Sequence, residues 1–256
     1  TKTGNEDSNI TFTAADFTNA FTDADGNSLN KIKITSLPAN GTLQLSGTNV
    51  ALNQEILLAS ILNLTFTPTA DYNGSSSFTW NGSDGSNYAT TNATANLTIN
   101  SVNDQPNFTA TTPATVNEDA GVQTISNWAT FNPGPADEAS QTATYTISNI
   151  SNPGLFAAAP TVDSSGTLTY TPATDAFGTS TFDVVVQDSG GTTNGGVDTS
   201  TTQTFTITVN SVNDAPSFSN AGNQTLTNWT NSPQTITGWA NTFVFGPTNE
   251  NTQTVA

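Results

Sequence analysis

Three stretches of the sequence recur in one order at nearly one spacing, and a chain that repeats itself must fold as copies of one unit. Thr65-Phe66-Thr67-Pro68 leads through Asp71 and Gly74 to Phe78, and 104 residues later Thr169-Tyr170-Thr171-Pro172 leads through Asp175 and Gly178 to Phe182. Asn5-Glu6-Asp7 returns 112 residues on as Asn117-Glu118-Asp119. Thr98-Ile99-Asn100-Ser101-Val102-Asn103-Asp104-Gln105-Pro106 returns 110 residues on as Thr208-Val209-Asn210-Ser211-Val212-Asn213-Asp214-Ala215-Pro216. A third copy opens near the end: Gly238-Trp239-Ala240 answers Asn127-Trp128-Ala129, and Gly246-Pro247-Thr248-Asn249-Glu250 answers Gly134-Pro135-Ala136-Asp137-Glu138. The expected organisation is a first unit over 1–105, a second over 106–215 and the start of a third over 216–256, a window on a longer array.

Within each unit the signals are β. Thr11 to Phe17, Lys31 to Ser36, Thr42 to Leu45, Leu62 to Thr67, Ser76 to Trp80 and Ala93 to Ile99 alternate or run in β-branched and aromatic residues. Thr142 to Ser148, Gly166 to Thr171, Thr179 to Gln187 and Thr201 to Val209 do the same in the second unit. Asn40-Gly41, Asn73-Gly74, Ser165-Gly166 and Gly190-Gly191 mark turns, since these residues tolerate positive φ. Asn53 to Leu62 reads as one short helix. About 110 residues with roughly seven short strands predict an all-β chain of tandem immunoglobulin-like, Greek-key β-sandwiches. Only 34% of residues are apolar, but alternation lets a sandwich fill its core from every second position.

Charge narrows the functions. Three Lys, twenty Asp or Glu and no His give a net charge of −17, so there is no basic face for nucleic acid. Without Cys or His there is no disulfide, thiol nucleophile, zinc or haem site. No apolar run approaches the roughly 20 residues of a membrane span, and nothing signal-like stands at Thr1, so we expect an excised extracellular or cell-surface piece.

The Val-Asn-Asp-x-Pro unit ends, the Asn-Glu-Asp near each unit start, Asp23-Ala24-Asp25-Gly26 and Asp84-Gly85 resemble the cadherin-like tandem repeats of large bacterial surface adhesins and extracellular matrix proteins. The resemblance spans essentially the whole chain and implies a rod with Ca²⁺ between successive repeats. By that resemblance the first metal set is Glu6, Asp71, Asn100, Val102 through its carbonyl, Asn103 and Asp104, facing Asp137, Glu138 and Asp188. One repeat later the set is Glu118, Asp175, Asn210, Asn213 and Asp214, facing Asn249 and Glu250. Asp23, Asp25 and Asp84 would face a preceding linker. The chemistry agrees independently: Ca²⁺ takes six to eight hard oxygens and needs neither His nor Cys. The chain also departs from the pattern. Asn100 and Asn210 stand where Asp is usual, the Asp-x-Asp position holds Asp137-Glu138 and Asn249-Glu250, and Asn228-Trp229-Thr230 stands where a third Glu-Asp is expected. The same acids could instead cap turns.

Other signals point elsewhere. Trp80, Trp128, Trp229 and Trp239 could stack on sugars, but Trp128 and Trp239 share one repeat position, as core aromatics do. Paired acids such as Asp23/Asp25 or Asp183/Asp188 lack the basic neighbours that acid–base catalysis needs, so no enzyme is expected. Asn9, Asn63, Asn73, Asn81 and Asn92 open glycosylation sequons, a by-product of composition. Lys2, Lys31 and Lys33 could serve Lys–Asn cross-links, but only in the first unit. The expected function is a calcium-stiffened structural or adhesive module of the cell surface. Its partners are neighbouring repeats, an unidentified distal ligand and, in a fibre, identical chains. The alternatives are a repeat that itself binds glycan or protein, and a filament subunit that exchanges edge strands.

Overall fold

The computed structural model describes residues 1–225, 232–247, 250 and 252–254. Asn249 and the Asn228-Trp229-Thr230 segment lie outside the described residues. The chain divides into two compact units. One comprises Thr1–Pro106, Asn132–Thr142 and Asp188–Thr199; the other comprises Asn107–Phe131, Ala143–Gln187 and the described residues from Ser200 on.

The first unit holds β1 (Lys2–Asn5), β2 (Ile10–Thr11), α1 (Ala15–Thr18), β3 (Lys31–Ile34), β4 (Gly41–Leu45), β5 (Thr48–Asn49), β6 (Glu55–Leu57), β7 (Leu64–Pro68), β8 (Gly74–Ser83) and β9 (Ala93–Asn100). They form two sheets, ordered β1-β9-β8-β3-β6 and β2-β7-β4-β5. The chain passes repeatedly from one sheet to the other, which makes this a Greek-key sandwich. Alternation places the core as the sequence predicts. Leu64 and Phe66 in β7, Phe78 and Trp80 in β8, and Leu97 and Ile99 in β9 are buried, while the intervening Thr65, Thr79 and Thr98 are not. Thr keeps strand propensity on the outer face without adding apolar surface.

Two expected elements differ. The strand expected over Thr11 to Phe17 stops at Thr11, and α1 follows as a single turn. Asp16 Oδ2 accepts from the Thr13 N–H at 2.7 Å and from the Thr13 hydroxyl at 3.0 Å, a side-chain-to-backbone bond that closes a turn in place of a strand ladder. Phe17 then enters the core, edge-on to Trp80 at 5.1 Å. Of the short helix expected over Asn53 to Leu62, the second half forms as a 3₁₀ helix over Leu58–Asn63, whereas the first half is β6. Ile56 points into the core from β6, and Lys31 Nζ holds Glu55 at 2.8 Å across the strand pair.

The second unit holds β10 (Asn107–Ala110), β11 (Val116–Asn117), β12 (Gln123–Ile125), β13 (Ala129–Asn132, its last residue assigned to the first unit), β14 (Thr144–Ser148), β15 (Phe156–Val162), β16 (Leu168–Pro172), β17 (Gly178–Gln187) and β18 (Gln203–Asn210). The sheets are β11-β18-β17-β14, β12-β16-β15 and the pair β10-β13. Trp128, Phe182 and Phe205 pack together over Leu168 and Ile207, and the Trp128 Nε1–H donates to the Thr111 carbonyl at 2.7 Å. Trp80 and Trp128 are therefore core residues. The tail adds β19 (Ser217–Asn220) paired with β20 (Ala240–Val244).

Candidate metal centre

A pairing that recurs in both repeats builds each acidic site. β1 runs parallel to the end of β9 with Asn5 opposite Asn100, and β11 runs parallel to β18 with Asn117 opposite Asn210. The next N–H in each case, Glu6 or Glu118, donates to the carbonyl of Asn100 (3.0 Å) or Asn210 (2.9 Å). The glutamate side chain is thereby turned inward. Glu6 Oε1 accepts from the Val102 N–H, and Glu118 Oε1 accepts from the Val212 N–H at 2.7 Å. Glu6 and Glu118 are only 2% and 3% exposed.

The following aspartates complete an outer cluster. In the first unit the carboxylate oxygens of Asp7, Asp71 and Asp104 lie within 4.8 Å of one another; in the second, Asp119, Asp175 and Asp214 do the same. Asp7, Asp71, Asp119 and Asp175 all hold positive φ, between 52° and 60°, so the loops themselves turn these carboxylates together. The Asp71 N–H donates to Asp7 Oδ1 at 3.1 Å, and the Asp175 N–H to Asp119 Oδ1 at 3.3 Å. Asp7 and Asp119 are absent from the ligand set implied by resemblance, although each directly follows a named glutamate in the repeated Asn-Glu-Asp.

A third contribution comes from the Gly-Pro-x-x-Glu turn. Glu138 Oε1 accepts from the Asp104 N–H at 2.8 Å, and Glu250 Oε1 accepts from the Asp214 N–H at 2.8 Å. Gly134 and Gly246 sit at φ +146° and +137°, where a Cβ would run into the Glu138 or Glu250 carboxylate. Each glutamate thus folds back over its own turn, a position only glycine leaves open. Gln141 donates to Asn103 Oδ1 at 2.7 Å and Gln253 to Asn213 Oδ1 at 2.8 Å, two positioning residues not singled out from sequence. In the first unit, Asn73 Nδ2 also bridges Asp137 Oδ2 (2.6 Å) and Glu6 Oε2 (3.5 Å). Asn103 Nδ2 reaches Asp188.

The acids form two electrostatically coupled arrays. Burial pushes Glu6 and Glu138 above the ordinary 4.5, against the lowering effect of the backbone N–H bonds they accept; the charge of Asp137 adds to the rise in both. Asp104 is raised by burial and then by Asp71, Asp7 and Asp137. Asp214 is raised by burial and then by Asp175, Glu250, Asp119 and Glu118. Elsewhere the acids serve turns. Asp23 Oδ1 accepts from the N–H groups of Asp25 and Asn27, Asp84 Oδ1 from those of Ser86 and Asn87, and Asn27 Nδ2 joins the two loops at 3.4 Å from Asp84. The N–H bonds from Asn87 and Ser86 hold Asp84 below the ordinary carboxylate range.

A hard cation fits both arrays. Glu118 Oε2, Glu138 Oε2, Asp214 Oδ2 and Glu250 Oε2 are buried without a hydrogen-bond partner. Unpaired buried carboxylate oxygen is costly, and no basic residue meets these groups: the two ion pairs among the described residues are Lys2–Asp16 and Lys31–Glu55. The donors are all oxygen, the set preferred by Ca²⁺.

A family model described as a cadherin-like domain matches residues 1–100. No curated protein matches. Among solved structures, human protocadherin-24 EC1-2 (form II) is similar at 15% identity over 73% of this chain and 84% of that one, with a TM-score of 0.49. Mouse cadherin-23 EC22-24 is similar at 17% identity over 73% and 57%, with a TM-score of 0.44. An endo-fucoidan hydrolase of glycoside hydrolase family 107 is similar at 19% identity over 73% and 24%, with a TM-score of 0.28. With these TM-scores below 0.5, the family reading rests on the matched residues, their repeated motifs and the sandwich they form. Over residues 1–100 the chain is similar to a cadherin-like domain.

Proposed function

We propose that this chain is an extracellular structural or adhesive repeat module whose repeats are stiffened by calcium, without catalysis. The observation that carries it is the set of buried carboxylates (Glu6, Glu138, Glu118 and Glu250, 2% to 6% exposed) in a chain with three cations, two of them paired elsewhere. When bound, Ca²⁺ supplies two positive charges and room for six to eight oxygen ligands. In the first unit, Glu6, Asp7, Asp71, Asp104, Asp137 and Glu138 would hold it. In the second, Glu118, Asp119, Asp175, Asp214 and Glu250 would do so. Glu6 and Glu118 tie the linker backbone to the unit start, while Glu138 and Glu250 hold the N–H of the linker Asp. Neutralising these acids removes their mutual repulsion, so the linker orders as the charges are met. No helix among the described residues is long and apolar enough to cross a membrane.

Melting the chain in about 2 mM Ca²⁺ and in chelator tests the reading. Module sites with Kd of order 10⁻⁴–10⁻³ M would add about 0.6–2 kcal/mol per ion, several degrees in midpoint. An unchanged midpoint with an unchanged scattering profile would sink it.

A further inference from the structure

We infer that the Asn103 carboxamide, and not a cation, satisfies the Asp188 carboxylate by hydrogen bonding, so that this limb of the first acidic array closes without metal. The inference deepens the calcium reading by leaving the ions to the Glu6–Asp71–Asp104–Glu138 side. Resemblance assigns both Asn103 and Asp188 to calcium, yet their bonding differs from that of their neighbours. Asp188 is 7% exposed, and both its oxygens are satisfied. Oδ1 accepts from the Gly190 N–H at 2.9 Å and from Asn103 Nδ2 at 3.2 Å; Oδ2 accepts from Asn103 Nδ2 at 3.1 Å. Glu138 Oε2, in the same array, is buried with no partner.

Asn103 is equally complete. Its Nδ2 also donates to the Val197 carbonyl at 2.8 Å, its Oδ1 accepts from Gln141 Nε2 at 2.7 Å, and its main-chain carbonyl accepts from the Val197 N–H at 2.9 Å. The partners dictate the amide's orientation. An ionised carboxylate and a carbonyl only accept, so the NH₂ must face Asp188 and Val197 and the oxygen must face Gln141. For Asn103 to ligate a cation beside Asp188, the amide would have to turn over and abandon all of these side-chain bonds. The surroundings are shaped for the residue as it stands. A Cβ on Gly190 would overlap Asn103 Oδ1 and Cγ, and one on Gly196 would lie 2.9 Å from Asn103 Cβ. Neither glycine has the positive φ that would require it for backbone reasons, so both are there for close approach.

The test uses the full chain, with calcium stoichiometry from titration calorimetry and unfolding midpoints in chelator. Asp188→Asn is expected to keep the wild-type number of bound ions and an affinity within about twofold. Asn103→Asp sets a second carboxylate against Asp188 and is expected to lower the chelator midpoint by several degrees and to gain one bound ion. Gly190→Ala crowds Asn103 while leaving every carboxylate in place; it should lower the chelator midpoint without changing the ion count. Loss of one ion in Asp188→Asn, or wild-type melting of both Asn103→Asp and Gly190→Ala in chelator, overturns the inference. A wild-type chain that binds no calcium overturns the calcium reading instead, and the chelator midpoints still judge the clasp.

Discussion

At the scale of single residues, the arrays set a direction for pH dependence. Glu6, Glu138 and Asp104 have folded values raised above the ordinary 4.5, 4.5 and 3.8. Groups raised in this way bind protons more tightly when folded, so the stability they contribute is full below the unfolded value and is lost as pH rises through the folded one. In chelator, the midpoint should therefore fall as pH climbs from the ordinary carboxylate range towards neutrality, and calcium should flatten that fall. A chelator midpoint that rises over this interval would contradict the assignment. Glu138→Gln keeps the oxygen that accepts from Asp104 N–H and removes a charge facing Asp104, Asp137 and Asp188. It should raise the chelator midpoint and shrink the calcium-induced shift, both read by calorimetry. Glu6 and Glu138 stood out in the sequence by their repeated motifs. Asp7 did not, because its role comes from a positive φ at two loop positions 64 residues apart in sequence, which no local pattern reports.

At the scale of elements, alternation made β7, β8, β9, β16, β17 and β18 legible, since each sends every second residue into a core. Two segments depart from the pattern, one through a side-chain bond and the other through a strand pairing over its first half. Thr11 to Phe17 alternates well enough for a strand, but Asp16 bonds back to Thr13 and closes α1. Asp16→Ala should cost about 1 kcal/mol by urea denaturation, since it removes both bonds to Thr13 and the ion pair with Lys2. Asn53 to Leu62 has helical spacing, yet its first half pairs with β3 because an edge strand can satisfy its N–H groups there. The Gly-Pro-x-x-Glu turn is testable as an element. Gly134→Ala strains φ and collides with Glu138, so it should lower both stability and calcium affinity, whereas Gly47→Ala, at positive φ with open space around it and away from every acid assigned to metal, should lower stability alone. Equal effects of the two on calcium affinity would remove Glu138 from the site.

At the scale of the whole molecule, each sandwich has its own core, and truncation in one should be read in that unit. Phe78→Ala and Phe182→Ala remove fully buried rings and should each cost about 3–5 kcal/mol, seen as a shifted transition by calorimetry. The sequence by itself determined the repeat, the all-β class, the positions of the core and the absence of any basic or thiol chemistry. These depend on periodicity and composition, which are properties of the chain alone. Only the tertiary structure decided which acids share an array, which of their oxygens lack partners and which acid an amide hydrogen-bonds. Those properties depend on distances between residues far apart in sequence, such as Glu6 and Asp137, set by loop backbone angles and by the space that glycines leave, and neither leaves a periodic trace in the sequence.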